Sequence, residues 1–188
     1  MAKLPLPVRT ELDARGREIY ETIAASRGGR MLGLFGAMMH RPELALRVSE
    51  LGAQLRFGGE LSDDWREVLI VAVASELGCA YEYEVHLPLA RKAGAPDELL
   101  EALGNGAELP ADIDEGLSAA LIYTRALCRR GVAHDAFAAL HQRVGDVGVV
   151  VEVTLLVGYY TMLSQFLRTV AITTADDRDR DAVDPEAE

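Results

Sequence analysis

Residues 147–167, VGVVVEVTLLVGYYTMLSQFL, form an apolar stretch that approaches the length of a membrane span. Glu152, Thr154 and Gln165, with Gly148 and Gly158, interrupt it, so it reads as a helix buried in a core or a subunit interface, with no membrane partner. Elsewhere the β-branched residues also cluster inside long apolar segments instead of alternating with polar ones, and strand signals are almost absent. An all-α fold is expected. Breaks bearing Gly, Asp or Pro at RGGR (27–30), RFGGELSDD (56–64), GNGAELPADID (104–114) and RVGDVG (143–148) separate helix-sized segments. The punctuation predicts helices over 11–26, 30–39, 43–55, 62–77, 79–93, 97–103, 114–130, 134–143 and 147–170. Ser62 and Asp63 are the expected caps of the fourth, while Asp97 and Glu98 suit an acidic first turn after Pro96.

A chain of 188 residues with 49% hydrophobic composition has the material for one domain with a substantial core. The expected organisation is an N-terminal helical extension (1–29), a main helical domain (30–172) and an acidic tail (173–188). Of the net charge of −11, five units come from ADDRDRDAVDPEAE (175–188), which reads as a solvated segment with nothing to dock. No stripe of Lys and Arg offers a phosphate backbone a footprint, which argues against nucleic acid as a partner. Cys79 and Cys128 are too few for a disulfide framework. With no apolar leader at the N-terminus, a reducing cytoplasm is the expected compartment.

The residues with chemical potential gather in two neighbouring segments. After the break at Gly78, Cys79 is expected in the first turn of a helix, where unpaired amides and the helix dipole stabilise a thiolate. Glu82 and His86 follow at i+3 and i+7, so thiol, carboxyl and imidazole share one face, while Glu84 points elsewhere. Glu67 lies in the preceding helix next to VLIVAVA, which is apolar all round and therefore expected to be buried. A carboxyl there resists ionisation unless it finds a partner, and its pKa is expected to rise toward the range useful for general acid–base work. His86 on the next antiparallel helix is the obvious partner. Each member alone has a plain structural reading, but an acid inside an unbroken apolar helix is costly unless paired or functional. Zinc ligation by Cys79, Glu82 and His86 is the weaker reading, because the donor set is poor in nitrogen and sulfur, and no metal is expected. A faint internal echo, with EVLIV (67–71) repeated 85 residues on in EVTLLV (152–157), is compatible with a degenerate helix-pair duplication or with chance.

The segment MMHRPELALRVSELGAQLRFGGELSDDWREVLIVAVASELGCAYEYEVHLPLARKAG, followed by LLVGYYTMLSQFL, resembles the carboxymuconolactone decarboxylase family, within the alkyl hydroperoxidase D-like superfold. The likeness covers roughly residues 30–170, and WRE (65–67), CAYEYEVH (79–86) and ARKAG carry most of it. It implies an all-α fold, homo-oligomers that are commonly trimers or hexamers, sites near subunit boundaries and no organic cofactor. The peroxidase branch uses a glutamate, a Cys-x-x-Cys pair and a histidine. Here Glu67, Cys79 and His86 match, but Glu82 stands at the second cysteine. That departure removes the resolving thiol, and the carboxylate-rich helix ending in histidine is closer to the decarboxylase-like branch.

The leading expectation is a cofactor-independent acid–base enzyme acting by decarboxylation or proton shift on a small carboxylated lactone or related unsaturated acid. His86 would carry the proton, Glu67 would set its charge, Glu82 would be a second carrier, and Arg56 or Arg66 would hold a substrate carboxylate. A thiol peroxidase or peroxide sensor using Cys79 is the alternative enzyme. A non-catalytic oligomeric binding protein is the third reading.

Overall fold

The computed structural model describes residues 4–130 and 133–177. Among these, a short 3-10 turn (Arg9–Glu11) precedes nine α-helices: α1 (Ala14–Ala25), α2 (Gly33–Met38), α3 (Pro42–Phe57), α4 (Asp63–Glu76), α5 (Ala80–Lys92), α6 (Asp97–Asn105), α7 (Glu115–Arg130), α8 (His134–Val144) and α9 (Val147–Val170). No strand occurs among the described residues. Every expected helix is present, with ends displaced by up to three residues. The described residues form two compact units, one within residues 55–166 and a second made of 4–54 with 167–177.

The unit of residues 55–166 is built on α4. From Val68 to Ala74 no residue of this helix is more than 1% exposed, because α5, α6 and α7 all pack against it. Each fully buried Val, Leu or Ile contributes roughly 1.5–3 kcal/mol of hydrophobic stabilisation. That places Glu67 beside the least hydrated part of the unit. Ser62 occupies the N-cap position of α4 but its side chain makes no capping bond. Asp63, the other expected cap, lies inside the helix and pairs with Arg66 at 2.9 Å. After α4 the chain turns at Gly78 (φ +61), a left-handed conformation that favours glycine. The turn returns α5 along α4.

α9 joins this unit through specific polar contacts. Tyr123 Oη on α7 and Thr154 Oγ1 share a hydrogen bond of 2.9 Å. The Glu152 carboxylate accepts from the backbone amides of Glu60 (2.8 Å) and Leu61 (3.3 Å), gathering the loop before α4. A Cβ on Gly59 would run into the Glu152 carboxylate, so the bare backbone at residue 59 lets the loop close around that carboxylate as it stands. Gly59→Ala is expected to expel Glu152 and to lower stability by about 1–3 kcal/mol, the cost of freeing its two amide bonds. Urea unfolding of the variant checks this, and an unchanged midpoint would mean that the loop has another anchor.

By length and composition α9 could cross a membrane, with 44% of its most apolar window buried. Its outward stripe of Val147, Val151, Leu155 and Met162 is 42–55% exposed.

In the other unit, Ile19, Ile23, Leu34, Phe35, Met39 and Leu167 are buried. Asp13 caps α1 through the Gly16 amide at 2.7 Å. Arg27 reaches Ser49 Oγ at 2.9 Å and lies over the Phe35 ring. The acidic segment departs from the sequence expectation where it is described. Asp176 accepts from Thr173 N at 2.7 Å, and Asp177 accepts from Gly33 N, the first amide of α2. Asp177 thereby supplies the cap that α2 lacks among its own side chains, while the Asp176 bond closes a local turn with Thr173. Residues 178–188 of the expected tail lie outside the described residues.

Candidate active site

The two helices α4 and α5 bring Glu67 and His86 face to face. Glu67 is 3% exposed and His86 4%, and His86 Nδ1 lies 2.6 Å from Glu67 Oε2. On the other side of the ring, Nε2 lies 3.3 Å from Glu82 Oε2, one helical turn earlier on α5. The imidazole is therefore held between two buried carboxylates. Cys79 (2% exposed), Glu82 (3%) and His86 line the same buried face of α5, while Glu84 is exposed. Cys79 itself sits at the N-cap of α5 and not in its first turn.

The charges explain how these groups tolerate burial. Burial by itself pushes the Glu67 carboxyl up, but the hydrogen bond and charge of His86, with the charges of Arg56 and Arg66, outweigh it. The net result is a carboxyl held below its ordinary value of 4.5. This corrects the expectation of a raised Glu67, which considered the apolar helix and not the cations around it. For His86, burial lowers the pKa, but hydrogen bonds to Glu67 and Glu82 and their charges raise it above 6.5. The two shifts run in the directions that favour the charged forms, a carboxylate on Glu67 and an imidazolium on His86.

Both arginines named from the sequence as substrate ligands lie against Glu67. Arg66 Nε is 3.5 Å and Arg56 Nη2 3.8 Å from Glu67 Oε1. Arg66 is 8% exposed and is further tied to Asp63. Arg56 keeps about a third of its side chain in solvent, and its buried Nε has no hydrogen-bond partner.

Tyr160 is the member that sequence reasoning missed. It comes from α9, is 3% exposed, and meets the His86 ring edge to face at 5.2 Å. Burial, and next the charge of Glu82, raises its phenol well above 10.0. Its signal in the sequence was only a tyrosine within an apolar run, which packing explains equally well. Cys128 stays outside this cluster, and burial pushes its thiol up. A groove of about 450 Å³ lies elsewhere on the same unit, between α7, α8 and the loop before α7. Leu109, Ile113, Ser118, Ile122 and Arg143 line it, none of which belongs to the charged row.

This arrangement can store one proton on a buried imidazole and exchange it with a flanking carboxylate. Its fold is shared with solved structures of low sequence identity. One is an uncharacterized peroxidase-related protein with an alkylhydroperoxidase AhpD core from Ralstonia eutropha JMP134, 17% identical with a TM-score of 0.72 over 90% of each chain. A second, from Silicibacter sp. TM1040, is also described as peroxidase-related. It is 18% identical with a TM-score of 0.73, covering 92% of this chain and 91% of that one. A third is a variant of the debrominase Bmp8 in complex with 2,3,4-tribromopyrrole, 13% identical with a TM-score of 0.73 over the whole of both chains. Among curated proteins, none matches the chain significantly. The sequence itself matches the carboxymuconolactone decarboxylase family over residues 42–126, a span that contains Arg56, Arg66, Glu67, Cys79, Glu82 and His86. Residues 42–126 thus match the carboxymuconolactone decarboxylase family, and the chain has an all-helical, alkylhydroperoxidase D-like fold.

Proposed function

We propose that this protein is a cofactor-independent acid–base enzyme, acting by decarboxylation or proton shift on a small unsaturated or lactone carboxylic acid. The supporting observation is the buried His86 imidazole held between the carboxyl groups of Glu67 and Glu82. In a decarboxylation, the bond to the carboxylate carbon breaks and its electron pair moves into a conjugated carbonyl. Carbon dioxide leaves, and one proton is delivered to the resulting enolate. His86 supplies that proton by way of Glu82, the carboxyl group on its Nε2 side, and Glu67, backed by Arg66 and Arg56, holds the ring from the other side. General acid–base catalysis of this kind contributes about 10²–10⁴-fold. The test is turnover of a panel of small lactone and unsaturated carboxylic acids, followed by carbon dioxide release or by proton exchange with deuterated solvent. Complete inactivity across the panel would count against the assignment.

The rival thiol peroxidase reading draws on the peroxidase-related neighbours, and Cys79 separates the two. A sulfenic acid on Cys79 would find Glu82 in place of a resolving thiol one turn away, and would have to wait for an external reductant or overoxidise. Cys79 is also 2% exposed. Cys79→Ser is expected to retain more than about half of wild-type turnover, since a hydroxyl fills a similar volume and moves no proton in this scheme. Peroxide treatment followed by mass spectrometry should find at most slow oxidation. Fast, reducible oxidation of Cys79 and an inactive serine variant would make the peroxidase the better reading.

We also propose a homo-oligomer, a trimer or hexamer. The outward stripe of α9 leaves Val147, Val151, Leu155 and Met162 in solvent on a single chain, and contiguous apolar surface of that kind marks interfaces. Sedimentation at micromolar concentration is expected to give a single assembled species. A monomer would refute the assembly.

A further inference from the structure

Both nitrogens of His86 are already engaged, Nδ1 with Glu67 at 2.6 Å and Nε2 with Glu82 at 3.3 Å. A substrate could meet the ring directly only by displacing a carboxylate. The row of charges runs from Arg56 and Arg66 through Glu67 and His86 to Glu82, and it ends on one atom. Glu82 Oε1 is buried and has no hydrogen-bond partner within the protein, although the residue is 3% exposed. An orphaned carboxylate oxygen is far costlier than an orphaned hydroxyl such as those of Thr124 and Ser164. Its opposite number is Arg56 Nε, a buried cationic donor that also lacks a partner. The cluster thus leaves unmatched one anionic acceptor and one cationic donor. Tyr160 completes the surroundings, edge-on to His86 and close enough to feel the charges of Glu82, Arg56 and Glu67.

The geometry points to Glu82 Oε1 as the atom that meets the substrate, accepting a hydrogen bond from an O–H or N–H group of a small carboxylic acid whose carboxylate is drawn toward Arg56. This rests on the acid–base reading and narrows its substrate class to acids that carry a second, protic group. In the proton-transfer step, the ligand's O–H or N–H bond breaks and its electron pair stays on the ligand atom. The proton passes to Glu82 Oε1, and the reverse transfer returns it. No electron changes hands. His86 then acts through Glu82, holding it in place and buffering its charge, and is a positioning residue for that step.

The experiment titrates the full-length protein with matched acids, glycolate against methoxyacetate and para-hydroxybenzoate against para-methoxybenzoate, and reads the His86 ring resonances by NMR. In at least one pair the protic acid is expected to shift those resonances and to bind about tenfold or more tighter than its methyl ether, as a charge-assisted hydrogen bond requires. Glu82→Met removes the acceptor and should bring that pair within about twofold. Glu82→Gln, which keeps the shape and loses the charge, should fall between. Equal binding within each pair, a preference that survives Glu82→Met, or no response of His86 to any of the four acids overturns the inference. The acid–base reading fails separately. A protic preference with unaltered turnover in His86→Ala removes that reading and leaves the ligand role of Glu82, whereas lost turnover with equal binding removes only the role of Glu82.

Discussion

Replacing His86 by alanine is expected to lower turnover on any accepted substrate by at least about a hundredfold, with helical circular dichroism close to wild type. The size follows from the share of the barrier that a positioned proton carrier removes, about 10²–10⁴-fold. The fold should survive, because Glu67 keeps Arg66 at 3.5 Å and Arg56 at 3.8 Å after the imidazole is gone. Glu82 loses only its 3.3 Å contact with Nε2. The decisive measurement is kcat, with KM followed alongside. A variant that raises KM and leaves kcat untouched would reduce His86 to a binding group.

Glu67→Gln is the more damaging change for stability. It neutralises the carboxylate that His86, Arg66 and Arg56 share, and leaves buried cations with only a weak amide acceptor. Breaking one partner of a buried pair costs about 3–5 kcal/mol, which is a large part of the stability of an ordinary domain. The wild-type protein should also show a pH optimum traceable to this pair. Glu67 is held below 4.5, so its contribution is complete above 4.5 and is lost as pH falls through its depressed value. His86 is held above 6.5, so its contribution is complete below 6.5 and is lost as pH rises through its elevated value. Both are fully present between 4.5 and 6.5. Urea unfolding across pH should find the maximum of the pair's contribution there and a flatter profile in Glu67→Gln. A variant within about 0.5 kcal/mol of wild type at the optimum would show that the carboxylate does not hold the cluster together.

The helices were legible because glycine and proline punctuate this chain sharply. Gly106 and Gly145, for example, end α6 and α8 in the left-handed conformation. Helix starts were read less well: α2 begins at Gly33 and not near residue 30, since its first amide is capped by Asp177 from far along the chain. The partnership of Glu67 with His86 could be anticipated from an acid stranded in an apolar helix next to a helix that carries a histidine on the face it shares with Cys79 and Glu82. Its protonation state could not, because that also depends on Arg56, which comes from the end of a separate helix, α3. Tyr160 was hidden for the same reason, since a phenol in an apolar run becomes informative only when the ring it touches is known. The internal echo set Glu67 against Glu152, yet the two acids are used differently. One faces an imidazole, and the other gathers the backbone amides of a loop.

The turn at Gly78 makes the spacing of the chain part of the chemistry. Glu67 and His86 lie nineteen positions apart, and the link between their helices is only Leu77, Gly78 and Cys79. So short a link has little slack to absorb an added residue, which would have to displace α5 against α4 and carry Glu82 and His86 off Glu67 together. The loop between α6 and α7 supplies no member of the charged row, so its length is free of that constraint. Insertions and deletions can accumulate in one loop of this protein, while in the other a single codon gained or lost would dismantle the site.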